Sequence, residues 1–131
     1  MASFGELVTR TAQAAADLTA TQYHLLRHTA AGLTNISSQA EAASPASMIG
    51  VQQNKPNTNE AVTIGYFGES KVVAGGALTV NRWITTNGSG RAAAAVSGDN
   101  VIGMVLEAAG GDGDVVRAQI SPIWRLVGAS S

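Results

Sequence analysis

The sequence predicts an all-β fold: a small β-barrel or β-tulip-like domain built from two similar β units, with an extended N-terminal arm. Two observations predict this fold. Short runs of β-forming residues recur at regular intervals between turns rich in glycine and asparagine, and the pattern of the first half of the chain returns in the second half. The 131 residues are enough for one domain with a core that needs no disulfide, and the chain contains no cysteine.

Residues 1–22 differ from the rest of the chain and form the predicted arm. After the first residue, the large apolar residues up to position 17 are Phe4, Leu7 and Val8. Residues 12–17 predict a short helical turn, which could not persist alone in water. Two interpretations stay open: the segment is either a terminus that contacts nothing or an arm that orders against a partner through its three apolar side chains.

From residue 23 onward the pattern is that of short strands separated by turns. The alanine run at 92–95 has helical propensity, but it follows a tight glycine turn and is therefore assigned to a strand. Residues 37–46, rich in Ser and Ala, predict a long exposed loop. The predicted strands are 23–29, 33–36, 47–53, 60–66, 71–73, 82–86, 91–95, 101–107, 114–120 and 123–127.

The two predicted β units cover about 23–73 and 82–127 and share one outline. Each has an isoleucine–glycine step, at Gly50 and Gly103, and each step is followed by a strand that an acidic residue precedes or opens. Equivalent residues are 58 positions apart at the first turns, 53 at the glycine steps and 54 at the following strands. If this match is a true repeat, both glycines lie where backbones approach closely or a strand bends.

The charge balance argues against several classes of partner. Charged residues make up 13% of the chain, and 8 basic residues face 9 acidic ones, so no net field attracts nucleic acid or anionic lipid. No apolar run approaches the roughly 20 residues that span a bilayer, and the N-terminus does not resemble a secretory signal. We expect synthesis in the cytoplasm and neither nucleic acid nor membrane as a partner. So little charge is typical of a surface covered by other protein, or of an Ala- and Gly-rich domain from a GC-rich genome.

The sequence offers no catalytic, metal or cofactor motif. His24 and His28 have the spacing that binds one metal on a helix, but on a strand they lie about 13 Å apart and no third ligand is evident. Residues 110–114 resemble a calcium-binding glycine repeat, yet Val115 stands where that repeat has aspartate, so a hairpin loop is the better interpretation. No serine elbow, phosphate loop or dinucleotide motif occurs. We therefore predict that the protein is not an enzyme and needs no cofactor or metal.

Each of the two tryptophans stands next to an arginine. Core packing is the usual role of tryptophan in a small domain, and an intersubunit contact is the alternative, because Trp and Arg are enriched at interfaces. The large side chains available for a desolvated subunit interface, with their arginine neighbours, are Tyr66, Phe67, Trp83, Trp124, Arg82 and Arg125.

Five blocks of the sequence carry a family resemblance. The blocks are Asp17–His24, Ile49–Pro56, Lys71–Ala77, Thr86–Ala92 and Val101–Ala109. In this order they resemble the capsid cement, or head decoration, proteins of tailed bacteriophages, over roughly residues 17–120. The motif positions are Gly50, Asn54, Lys55, Pro56 and Gly103.

The resemblance implies a non-enzymatic protein that binds the outer surface of an expanded phage head. Its partner would be the major capsid protein, whose subunit contacts it would stabilise, and it would act as a homotrimer at local three-fold positions of the virion. Under this interpretation Phe4, Leu7 and Val8 are the candidate capsid contacts of the arm.

Two alternatives from other classes stay open. The chain could be a head fibre or minor tail structural protein, which the same features fit. A duplicated β unit also occurs in biotinyl and lipoyl carrier domains, but these need a lysine at a hairpin tip. Lys55 precedes Pro56 and Lys71 opens a predicted strand, so neither lysine fits that role.

Overall fold

The computed structural model describes residues 7–28, 34–36, 48–87, 89–96 and 101–123. Within these ranges the chain is all-β, as predicted, with nine strands and no helix. The strands are β1 Leu7–Gln13, β2 Leu25–His28, β3 Thr34–Ile36, β4 Met48–Gln52, β5 Ala61–Val73, β6 Trp83–Thr86, β7 Ala92–Ala94, β8 Val101–Val105 and β9 Val115–Ile123.

The nine strands form one antiparallel sheet that curls into a nearly closed barrel. The order along the sheet is β3-β2-β4-β5-β9-β8-β6-β7, and β1 also pairs with β5. A bridge between Ala74 and Ala92 connects the end of β5 to β7, so one end of the sheet returns toward its middle. This partial closure reduces the length of free strand edge, which would otherwise invite aggregation.

The strand order is itself a repeat. The series β3-β2-β4-β5 on one side of the β5–β9 pair is mirrored by β7-β6-β8-β9 on the other side. The pairing agrees residue by residue, because Leu26 lies opposite Gly50 in the first half and Ile84 lies opposite Gly103 in the second. The internal duplication suggested by the sequence is therefore present in the backbone.

The long strand β5 belongs to both halves. Its first part pairs with β1, as far as Gly68 opposite Leu7, and its second part pairs with β9, from Gly68 to Val73. β1 is thus the first strand of the first half, and the second part of β5 is the equivalent strand of the second half. Defined by this pairing, repeat 1 comprises residues 7–66 and repeat 2 comprises residues 67–123.

The predicted helical turn over residues 12–17 is wrong. Ala12 and Gln13 end β1, and the chain then turns without helix. The reason is tertiary: the Ala14 N–H donates to the Glu60 carbonyl, and the Ala14 side chain is fully buried. Pairing and burial outweigh a local helical propensity worth only tenths of a kcal/mol per residue.

Other predicted strands differ in their limits. Segments 60–66 and 71–73 are one strand, because Gly68, with φ 117°, lets β5 pass from one partner to the next without ending. The segment 123–127 overlaps β9 only at Ile123; its remainder and the predicted loop at 37–46 lie outside the described residues.

Both isoleucine–glycine steps lie at a close backbone approach, as expected. A Cβ on Gly50 would lie 2.5 Å from the Gly65 carbonyl oxygen, and a Cβ on Gly103 would collide with the carbonyl oxygen of Gln119. Gly65 and Gln119 are themselves equivalent, since each lies in the closing strand of its repeat. Only glycine leaves room for the neighbouring strand at these two positions.

Most buried apolar side chains of the described residues form two clusters. The smaller cluster belongs to repeat 1, and Ala12 and Ile49 pack against it partly buried. The larger cluster combines repeat 2 with the repeat 1 residues Leu25 and Val51, which are both 0% exposed. The smaller cluster consists of Ala14, Leu18, Leu26, Val62 and Ile64.

Candidate interaction surface

The buried side chain of His24 has a structural role. The His24 ring lies with Nδ1 3.2 Å from the Gln22 carbonyl, and its Nε2 accepts from the Arg91 Nε–H at 3.4 Å. Arg91 also forms an ion pair with Asp112 at 2.7 Å. Burial, and then the Arg91 charge, lower the pKa of His24 below its ordinary value against the opposing effect of its hydrogen bonds. A neutral ring held in this way stabilises the packing of two turns.

The part of the chain that the structure describes holds no cluster of three or more His, Cys, Asp or Glu side chains that could bind a metal ion. It also has no helix long and apolar enough to cross a membrane.

A first exposed apolar surface lies where β1 meets β5. Val8 is opposite Phe67 in the pairing, and their exposed fractions are 43% and 53%. The register shifts between Val8 and Thr9, and the Leu7 side chain lies close to the backbone of Gly65. We call Val8 and Phe67 the Val8–Phe67 patch and take this pair of neighbouring exposed apolar side chains as a candidate binding surface.

A second partly apolar surface lies on the outer side of repeat 2. Trp83 on β6 is opposite Met104 on β8, which is opposite Gln119 on β9. Trp83 and Met104 are partly exposed and Gln119 is exposed, whereas Ile84, the next residue along β6, is buried. We call Trp83, Met104 and Gln119 the Trp83–Met104 face.

The predicted interface residues fall on different strands. Phe67 and the partly buried Tyr66 lie on β5, whereas Trp83 lies on β6, with β9 and β8 between them in the sheet. Arg82 directs one terminal nitrogen to the Ala95 carbonyl at 3.3 Å, and among the described residues its buried Nε has no hydrogen-bond partner. Trp124, Arg125 and Phe4 lie outside the described residues.

The motif positions after β4 are mainly structural. The Asn54 side chain accepts from the Thr63 N–H at 2.9 Å and donates to the Ala61 carbonyl at 3.0 Å, which fixes the β4–β5 connection. Pro56 is buried and its carbonyl accepts from the Leu18 N–H at 3.0 Å. Lys55 is exposed between them.

Sequence reasoning did not find Met104 and Gln119. The repeat places Met104 where the first half has Val51, and Gln119 where it has Gly65, but the difference in burial between them is seen only in the structure. A change from buried valine to partly exposed methionine at equivalent positions marks a face that one repeat covers and the other leaves open.

Comparisons with known proteins agree with the fold. No protein-family model matches the chain, and no curated protein matches it. Among solved structures the chain is similar to the N base of the head fiber protein gp8.5 of bacteriophage phi29, with a TM-score of 0.63 and 23% identity. The match covers 88% of this chain and 95% of that one. A likeness at this identity shows a shared fold.

Proposed function

We propose that the protein is a non-enzymatic structural component of a phage head, acting as the base through which a head fibre attaches to the capsid. The observation that supports this proposal is that the fold matches nearly the whole of a head fibre base. The same fold can carry unrelated functions, so the proposal also needs a binding surface.

The Val8–Phe67 patch is the surface we assign to the capsid. It joins Val8, a candidate capsid contact from the sequence, to Phe67, a candidate for a subunit interface. Because these two side chains are neighbours, one partner covers both. About half of each side chain is already covered, since Val8 is 43% and Phe67 53% exposed, so burying the remainder contributes roughly 0.7–1.5 kcal/mol each, a modest single contact.

Modest contacts become tight binding when several act together. A homotrimer, as the sequence resemblance implies, presents three copies of the Val8–Phe67 patch, and the second and third contacts are then effectively intramolecular. The partner in this proposal is the major capsid protein, and the location is the outer surface of the virion.

A capsid decoration, or cement, protein is the second candidate. The five sequence blocks favour it, and it uses the same surface on the same partner. The two candidates differ in consequence: a cement protein raises the temperature at which purified heads disrupt, whereas a fibre base leaves that temperature unchanged.

A carrier domain receives no support from the geometry. Lys71 lies within β5, with its Nζ 5.8 Å from the centre of the Tyr23 ring. Lys55 lies in the hairpin connection between β4 and β5, but it directly precedes the buried Pro56 and stands outside the turn that the Glu60 N–H closes by donating to the Asn57 carbonyl.

The experiment is co-sedimentation of the purified protein with phage heads that lack it. We expect Val8→Glu and Phe67→Glu to reduce the bound fraction at least tenfold, since each places a charge in the contact. Both positions are exposed, so thermal unfolding of the free variants should change little. Val115→Glu, the same change at a valine of similar exposure (51%) at the start of β9, is the matched control. Full binding by both patch variants would exclude this surface.

A further inference from the structure

The two repeats are joined by a contact that buries one face of repeat 1. The side chains of Leu25 and Val51, opposite each other on β2 and β4, lie in the large cluster with residues of repeat 2. Backbone hydrogen bonds accompany this packing: the Leu25 N–H donates to the Gly90 carbonyl at 2.7 Å, and the Val73 N–H donates to the Tyr23 carbonyl at 3.1 Å.

The equivalent face of repeat 2 is not buried. Trp83 and Met104 are opposite each other on β6 and β8, as Leu25 and Val51 are on β2 and β4. Leu25 and Val51 are fully buried, but Trp83 and Met104 remain partly exposed. The two-repeat stack therefore leaves one half of the internal contact uncovered at the end of repeat 2.

At the opposite end of the stack, two residues of repeat 1 are less buried than their equivalents in repeat 2. In repeat 2, Val72 and Ile102 belong to the cluster that receives Leu25 and Val51, and both are 0% exposed. Their equivalents in repeat 1 are Ala12 and Ile49, which are only partly buried. Repeat 1 thus retains the receiving half of the same contact, and neither of the two described repeats covers it.

We infer that a second copy of this chain covers the Trp83–Met104 face, and that the face packs against the Ala12–Ile49 surface of that copy. The contact between copies then continues the contact between repeats inside one chain. Trp and Met are enriched at the centres of protein interfaces, and Gln119 together with Glu69, held at 2.9 Å by Arg117, supplies a polar rim.

This contact joins two different surfaces, so it is head-to-tail. Head-to-tail contacts produce a closed ring when the rotation between copies closes, and an open filament when it does not. The homotrimer of the proposed function is one such ring, with six successive repeats. The inference does not depend on capsid binding, which uses the Val8–Phe67 patch.

The test is sedimentation velocity of the full chain over a range of concentrations. We expect the wild type to associate. The double variant Trp83→Glu/Met104→Glu, called the face variant, should remain monomeric. Ile49→Glu, called the receiving variant, should remain monomeric as well. Gln119→Arg, an exposed change that cannot disturb the core, should weaken association at least tenfold. Val8→Glu is the matched control and should associate normally.

Mixing the face variant with the receiving variant gives the decisive readout. Each retains the surface that the other has lost, so the mixture should form a one-to-one dimer that grows no further. Circular dichroism melts confirm that each variant is folded. A wild type that stays monomeric, association that survives Gln119→Arg and the face variant, or a mixture that stays monomeric would overturn the inference.

Discussion

Pro56 accounts for a difference in hydrogen bonding between the two repeats. In repeat 2, Leu78 and Ala109 exchange two backbone hydrogen bonds. At the equivalent place in repeat 1, Leu18 donates to Pro56, but proline has no N–H with which to reciprocate. The buried Gln52 side chain supplies the missing donor, with its amide nitrogen 2.7 Å from the Leu18 carbonyl. Repeat 2 needs no such donor and has Val105 at that position.

Gln52→Val should therefore destabilise the protein, although it copies repeat 2. The change removes the donor to the carbonyls of Leu18 and Asn54, at a cost of about 1–3 kcal/mol for unsatisfied buried groups. Urea denaturation measures this cost. Adding Pro56→Ala should recover part of it by restoring a backbone N–H, and no recovery in the double variant would show that Gln52 acts in another way.

His24 predicts a loss of stability in mild acid. Burial and the Arg91 charge lower its pKa in the folded state, so the unfolded chain binds a proton at higher pH than the folded chain does. The contribution of neutral His24 to the free energy of unfolding is fully present above the ordinary pKa of 6.5. It is lost as the pH falls toward the lowered pKa of His24 in the folded state. Denaturant midpoints should decrease from pH 7.5 to 5, and the decrease should be smaller in His24→Gln. An equal decrease in both proteins would assign the effect to other groups.

At the scale of elements, β1 is an edge strand whose sequence carries little strand signal. Most of its side chains are exposed and polar, so no alternation of apolar residues marks it. Its pairing comes from β5, about 50–60 residues away in the sequence. The regularly alternating strands were predictable, as were the turns between them. The merging of two predicted segments into β5 was not, because Gly65 and Gly68 have the local appearance of a break.

Deletion of residues 2–13 tests the role of β1 as the first strand of repeat 1. We expect a melting temperature lower by at least about 4 °C, the shift that roughly 1 kcal/mol causes in a small domain, because the deletion uncovers Val62 and Ile64. Val8→Glu keeps the strand and serves as the control. An unchanged melting temperature would mean that the segment is an independent arm, as the sequence alone suggests.

For the whole molecule, the repeat is the feature that connects sequence, fold and surfaces. The offsets between equivalent residues were visible in the sequence, and they identify the pairs Leu25 with Trp83 and Val51 with Met104. Their different burial was not predictable, because it depends on how one repeat packs on the next. The candidate surfaces could be predicted only in part for the same reason: Val8 and Phe67 were both singled out, but their pairing is a long-range property of β1 and β5.

The role that we propose for the protein is that of a structural component of a phage head. The most direct measurement is electron cryo-microscopy of purified virions, with and without the gene for this chain. We predict density on the outer capsid surface that fits the two-repeat barrel, with the Val8–Phe67 patch against the major capsid protein, and its loss when the gene is deleted. Identical capsid surfaces in the two preparations, with the protein absent from the purified heads, would contradict the account.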